Sequence, residues 1–239
     1  MQLKEKILNL RRKQSVLSNL YTYNLDEYDF IEKENTLLFF KEGHDFIRVY
    51  FISTDKNELL EIFKDFSSKK IVFNYPSKTD NSEITFFEKV DFSLIGVYER
   101  YVHHNVKYKN THINYALLED LDVVEKLIYN NFSVYMDNLP KQKELELMVN
   151  ENRVLVNREN GSVKGFFIYT IISGRFYFNF WYDETQGGLN LLYQVYSLMH
   201  KKNITTAFFW VNKENKMVQD IHALMGAKKD GLTDYIYIK

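Results

Sequence analysis

The residue types that could carry chemistry in this chain gather between Asp183 and Tyr237. Gly187-Gly188 stand just before a helical run containing Leu191 and Leu192. Backbone N–H groups at a helix start can hold an anion, and glycine lets the backbone come close to it. A plain Gly-Gly turn opening a helix is the simpler reading of the same residues. His222 lies on a short helical run from Lys216 to Met225. A histidine exchanges protons near neutral pH, or it packs and hydrogen-bonds on its own helix. Asn215, just before that run, has the type of an N-cap. Tyr235 and Tyr237 sit two apart in a terminal strand and share a face, so each is either a phenol acid or core. His103-His104 have no third ligand at metal spacing, which favours a solvated linker over a metal site. The chain has no cysteine, which excludes a thiolate zinc site, a disulfide framework and a cysteine nucleophile.

These residues need elements to position them, and the hydrophobic periodicity predicts an α/β chain with a mixed sheet. Leu3 to Leu20 has mostly helical spacing. Strands are expected over Thr36–Lys41 and Phe46–Ser53, a helix over Lys56–Phe66, and a strand over Lys70–Tyr75 that ends at Pro76. A short helix Ser82–Val90 and a strand Ser93–Val102 follow. The polar stretch from His103 to His112 reads as a connector. Helices Leu117–Phe132 and Lys141–Asn150 come next, then strands Arg153–Asn157, Val163–Ser173 and Arg175–Tyr182. Helix Leu189–His200, strand Thr205–Val211, helix Lys216–Met225 and strand Asp234–Ile238 complete the chain. The aromatic run Phe176 to Tyr182 does not alternate, as expected of a strand covered on both faces.

The pattern occurs twice. A constant offset of 135 positions lays Ile71–Tyr75 on Thr206–Trp210, Phe87 on His222, Asp91 on Gly226 and Phe92 on Ala227. Two α/β halves are expected, 1–104 and 113–239, joined by residues 105–112, with the first half truncated.

The run Phe208-Phe209-Trp210-Val211-Asn212-Lys213-Glu214-Asn215, with Ile221-His222-Ala223-Leu224-Met225-Gly226-Ala227 after it, resembles the C-terminal half of the GNAT superfamily of acyl-CoA N-acyltransferases. The spacing is that family's V-N-x-x-N phrase and Y-x-x-x-G-F helix end, with His222 at the usual Tyr and Ala227 at the usual Phe. Tyr115 to Leu121 is similar to the family's first strand and helix entry, and Phe86 to Tyr98 resembles a second copy of the helix end. The resemblance therefore implies a tandem GNAT with a degenerate first half, and acetyl-CoA or another acyl-CoA as co-substrate.

In that family a Gly-rich loop before the helix holds the pyrophosphate. The matching stretch is Asp183-Glu184-Thr185-Gln186-Gly187-Gly188, continuing to Leu189. Gly188 fits the last glycine, while Gln186 and Asp183 depart from the pattern, and carboxylates beside a pyrophosphate repel it. The strand before it, including Phe180, Trp181 and Tyr182, would hold the acyl carbonyl and pantetheine arm. Asn215 would bond the cofactor arm, His222 would act as the acid for the departing thiolate, and Tyr235 is the alternative acid. Candidate bases are Glu184, Asp183 and Asp137. The implied reaction is amine attack on a thioester, with a small molecule, amino sugar or peptide as acceptor. A catalytically inactive ligand-binding or interaction protein of the same fold is the alternative.

Composition bounds the partners. Length fits two domains of about 120 residues, and 45% hydrophobic with 26% charged residues is a globular balance. With 31 basic against 32 acidic residues, no strong field would draw the protein to nucleic acid or an anionic membrane. No signal peptide or membrane-spanning run is read, which fits a cytoplasmic protein. An exposed edge strand could pair two copies into a homodimer.

Overall fold

The structure is a computed structural model that describes residues 2–20, 28–43, 45–66, 68–78, 82–105, 110–185 and 188–239. Its elements run α1 (Gln2–Arg11), β1 (Leu17–Ser18), β2 (Asp29–Glu32), β3 (Thr36–Glu42), β4 (Phe46–Ser53), α2 (Lys56–Asp65), β5 (Lys70–Ser77), α3 (Ser82–Lys89) and β6 (Ser93–His104). A 3-10 turn at Leu118–Asp120 leads into α4 (Leu121–Asn131), α5 (Gln142–Asn150), β7 (Val154–Glu159), β8 (Ser162–Ile172), β9 (Arg175–Asp183), α6 (Gly188–Lys201), β10 (Thr206–Asn212), α7 (Lys216–Leu224) and β11 (Lys228–Ile238). The chain is a mixed α+β protein, as its periodicity predicts. The first helix ends at Arg11, because the residues beyond it turn into β1, and His103 and His104 belong to β6. No helix among the described residues is long and apolar enough to cross a membrane.

Packing divides the chain into two compact units. One holds Met1–Val97 with Leu232–Lys239, the other Tyr98–Gly231. The linear halves have thus exchanged their last strands. β11 pairs with β5 over Thr233–Ile238, and β6 pairs with β10 over Tyr98–His104.

In the N-terminal unit β2, β3 and β4 form an antiparallel meander, β5 lies parallel to β4, and β11 lies antiparallel to β5. Leu38, Val49, Phe51, Phe73 and Tyr237 pack on one face, Leu37, Phe39, Tyr50 and Ile52 on the other, as strand alternation requires. α2 is capped by Asp55, whose carboxylate accepts from the N–H groups of Asn57 and Glu58, and it buries Leu59, Ile62 and Phe63. This unit opens with one helix, α1, among the described residues. In the C-terminal unit two helices, α4 and α5, stand between the Tyr98–His104 part of β6 and β7 among the described residues.

In the C-terminal unit β7, β8 and β9 are antiparallel, β10 is parallel to β9, and the Tyr98–His104 part of β6 closes the row. Helices α4 and α5 cover one face with Val124, Ile128, Leu145 and Val149. The other face is covered by α6 through Leu191, Leu192, Val195 and Tyr196. Adjacent β8 residues therefore go to opposite cores, Phe166 and Ile168 to one, Phe167 and Tyr169 to the other. Both faces of β8 are buried from Gly165 to Tyr169, which accounts for its continuous apolar run. In β9 only Phe176 and Phe178 are buried, so the two-sided burial expected of the run Phe176–Tyr182 does not hold along its length.

The helix ends repeat at the offset read from the sequence. Phe92 N–H donates to Phe87 O at 3.2 Å, and Ala227 N–H donates to His222 O at 3.0 Å. The turning residues Asp91 and Gly226 have φ of 67° and 90°. Gly226 adopts this left-handed conformation without a Cβ penalty, whereas Asp91 does so as a strained non-glycine.

Candidate functional site

The strands β9 and β10 are paired in parallel over only three positions, from Phe176↔Ala207 to Phe178↔Phe209. β9 continues to Asp183 while β10 continues to Asn212. From Asn179 to Asp183 the edge of β9 toward β10 has no strand partner among the described residues. A β-bulge stands at the point of divergence. Tyr169 pairs with Phe178 and Ile168 with Phe180, so Asn179 is the extra residue. A bulge re-aims the side chains beyond it. Phe176 and Phe178 face the core under α6, but Phe180 and Tyr182 face the core under α4 and α5, and Trp181 takes the α6 side. Such parting of parallel strands exposes a row of peptide donors and acceptors, the surface an extended amide-bearing ligand needs.

Across from Trp181 lies His222 on α7. Its ring is 4.0 Å from the Phe209 ring, 5.5 Å from Trp181 and 6.1 Å from Phe178, centroid to centroid. The residue is 2% exposed. Burial, helped by repulsion from His103, pushes its imidazole down to about 3. At neutral pH His222 is thus an uncharged ring, and the imidazolium proton expected of a histidine acid is absent in the ground state. Its Nδ1 is buried without a hydrogen-bond partner, and so is Nε1 of Trp181. An unsatisfied buried polar atom costs about 1–3 kcal/mol, and here two belong to rings in contact. His103, also buried, shares a hydrogen bond of 3.3 Å between its Nδ1 and the Tyr196 hydroxyl.

The start of α6 is the expected anion position. Gln186 and Gly187 lie outside the described residues, and α6 begins at Gly188. The carboxylates before it are engaged within the fold. Asp183 Oδ1 accepts from Thr185 N–H at 2.9 Å and Thr185 Oγ1 at 2.6 Å, and its Oδ2 accepts from Asn157 Nδ2 at 2.9 Å. Glu184 pairs with Lys164 at 2.7 Å, which offsets its charge. Gly165 makes this arrangement possible, because a Cβ there would stand 2.6 Å from Asp183 Cγ and 2.8 Å from Tyr182 O. Leu189 is exposed on the first turn.

Asn215 caps α7, its Oδ1 accepting from Val218 N–H at 3.2 Å. The preceding turn is tied by Gln219, whose Nε2 donates to Asn212 O and Lys213 O. Tyr235 belongs to the N-terminal unit, opposite Tyr75 in the β5–β11 ladder, where it packs with Tyr237 against that unit's core. His222, Trp181 and β9 belong to the other unit. Of the proposed bases, Asp137 is held between Ser133 N–H at 2.9 Å and the Tyr98 hydroxyl at 3.0 Å. Tyr98 is in register with Asn212, at the end of β10.

Sequence reasoning did not single out the Asn179 bulge, the unpartnered Trp181 N–H or the close approach at Gly165. The broken alternation of the run Phe176–Tyr182 was the available signal for the bulge. The other two depend on which strands meet.

No family model and no curated protein matches the sequence. Solved structures do match its fold. The GCN5-related N-acetyltransferase from Sphaerobacter thermophilus is similar with a TM-score of 0.63 at 10% identity, covering 86% of this chain and 76% of that one. A GCN5-related N-acetyltransferase from Kribbella flavida matches with a TM-score of 0.57 at 10% identity, covering 90% of each chain. A tandem GNAT protein from the clavulanic acid biosynthesis pathway matches with a TM-score of 0.56 at 10% identity, over 86% of this chain and 78% of that one. Identities this low speak for architecture alone, and in architecture the chain has the fold of the GCN5-related N-acetyltransferases.

Proposed function

We propose that the C-terminal unit is an acyl-CoA-dependent N-acyltransferase, with acetyl-CoA as donor and an amine of a small molecule, amino sugar or peptide as acceptor. The carrying observation is the end of β9–β10 pairing at Phe178 and Phe209, beside two buried and unpartnered polar atoms, Trp181 Nε1 and His222 Nδ1. The edge of β9 from Asn179 to Asp183 would bond the amides of the pantetheine arm. The N–H groups opening α6 at Gly188 would face the diphosphate, with Leu189 beside them. Because Asp183 and Glu184 have partners within the fold, the repulsion they exert on that anion is reduced.

The donor supplies an activated thioester. In the net transfer a bond forms from the amine nitrogen to the acyl carbon, the carbon–sulfur bond breaks, and one amine proton ends on sulfur. The Trp181 indole N–H can donate to the carbonyl oxygen as negative charge develops there. His222, uncharged at pH 7, can hydrogen-bond through Nδ1 and relay the proton. A negative charge growing beside the ring raises its proton affinity in the reaction relative to the resting protein. Asp137, held by Tyr98 at the end of β10, is the carboxylate available to receive an ammonium proton from the acceptor.

The weak basicity of resting His222 favours a second reading, a protein of this fold that binds acyl-CoA without turning it over. Calorimetry with acetyl-CoA and desulfo-CoA, followed by thiol release with a panel of amines, tests both. Micromolar binding with thiol release is expected for the enzyme, and binding without release across the panel supports the second reading. Absence of binding at millimolar ligand would sink both. Trp181→Phe should lower turnover by about tenfold or more while leaving the melting temperature near that of the wild type. Unchanged turnover would remove the indole from the reaction.

A further inference from the structure

The N-terminal unit contains the same device as the C-terminal one, already filled. β4 and β5 are paired in parallel over three positions, from Phe46↔Lys70 to Arg48↔Val72, and then run on to Ser53 and Ser77. Past that point the free edge of β4 is taken by the chain's own residues. Leu17 pairs with Ser53 and Ser18 with Ile52. Ser18 Oγ donates to Phe51 O at 3.1 Å. Asn19 continues the ladder with its side chain as well as its backbone. Its N–H donates to Phe51 O at 3.1 Å, and its Oδ1 accepts from Phe51 N–H at 2.6 Å. Its Nδ2 donates to Val49 O at 3.1 Å and to Asn74 O at 2.9 Å. One carboxamide therefore bridges both diverging strands, in the manner of a ligand amide. Asn19 is 1% exposed.

The segment also buries side chains on both faces of the sheet. Leu17 is buried in the cluster with Phe51 and Phe73, while Leu20 is buried in the cluster with Tyr50 and Ile52. Phe51 and Ile52 are adjacent in β4, so these clusters lie on opposite faces. The far end is anchored by Arg11, whose Nη2 donates to Leu20 O at 2.8 Å. In the C-terminal unit no described segment takes the corresponding edge of β9. The position of His222 is also filled differently in the N-terminal unit. Its counterpart Phe87 is fully buried against Phe73 at 4.8 Å and Tyr237 at 5.4 Å, so no polar atom stands there.

We propose that Leu17–Leu20 is a built-in occupant of the N-terminal cleft, which closes that unit to ligand and leaves one acyl-CoA cleft per chain. Occupation by the plug stands on the contacts above, whereas the count of one ligand rests on the proposed function. Phe51 points its N–H and C=O at Asn19, so its neighbour Ile52 points toward β3 and serves as the internal reference. Amide exchange read by NMR tests the plug. In the wild type the Phe51 amide should be protected like the Ile52 amide, and in Asn19→Ala it should exchange about tenfold faster or more, with Ile52 little changed. A wild-type Phe51 amide exchanging as fast as an unstructured one would overturn the proposal. If Asn19→Ala fails to fold, the wild-type Phe51 amide and a CoA titration decide. Added CoA should shift resonances of β9 and α7 and leave Val49, Phe51 and Asn74 in place. Shifts at those three residues would also overturn the closed cleft. Should CoA shift no resonance anywhere, the acyltransferase reading falls, and Phe51 protection still decides whether the plug is there.

Discussion

His222 and Phe87 occupy equivalent turns of α7 and α3 and end them with the same backbone hydrogen bond. Phenylalanine at that turn completes an aromatic core. Histidine there leaves one buried nitrogen unsatisfied and a ring that resists protonation. Its depressed basicity fixes the sign of a pH effect. The unfolded chain binds a proton on His222 below about 6.5, and the folded chain does so only near 3. Stability is thus fully present above the unfolded value and falls as pH drops through that window, by up to about 1.4 kcal/mol per pH unit from this group. His222→Phe should match or exceed the wild type by about 1 kcal/mol at pH 7.5 and lose less stability on going to pH 5. Urea midpoints at the two pH values measure this, and parallel losses in both proteins would show that the ring is solvated. The position of His222 was legible in the sequence from the spacing to Gly226. Its charge state was not, because it depends on Phe209, Phe178 and Trp181 arriving from two other strands.

At the level of elements, β9 is the strand that makes the site, and two local features shape it. The Asn179 bulge sends Phe180 and Tyr182 to one core and Trp181 to the other. Gly165 in β8 lets the end of β9 come close enough for Asp183 to bond Thr185 and Asn157. Gly165→Ala would drive a methyl into a backbone carbonyl as well as a side chain. A cost of about 1–3 kcal/mol follows, typical of overpacking, together with weaker acyl-CoA binding as the opening of α6 shifts. A thermal melt alongside calorimetry checks both, and an unchanged melting temperature would mean that β8 and β9 are not so close. The strand itself was legible from its composition, as was the helix after it. Pairing register was not, since the broken alternation of Phe176–Tyr182 hints at an irregularity but does not say which residue is left out of the ladder.

At the scale of the whole molecule, the exchanged strands make each unit depend on a distant part of the chain. Tyr237, with no exposed surface, stacks on Phe73 at 5.4 Å, and Ile71 and Lys239 exchange backbone hydrogen bonds of 2.8 and 3.0 Å. Truncation after Gly231 should therefore unfold the N-terminal unit, although the residues removed lie at the C-terminus. Amide exchange by mass spectrometry should show protection lost in β4 and β5 and kept in β9 and β10, and the reverse pattern would contradict the exchange. By itself the sequence determined the order of helices and strands from Thr36 onward, the equal spacing of the two helix ends at Phe87 and His222, and the turn at Gly226. Those features are local, set by periodicity, capping and backbone conformation. Before Thr36 it read Leu3 to Leu20 as helical and missed β1 and β2. The tertiary structure alone decided that β11 completes the first unit and the last part of β6 the second. It also decided that β9 parts from β10 at a bulge, and that Asn19 fills one cleft while Trp181 and His222 stand unpartnered in the other. Each of these depends on which segments, far apart in the chain, share hydrogen bonds, and strand partnership has no periodicity to read.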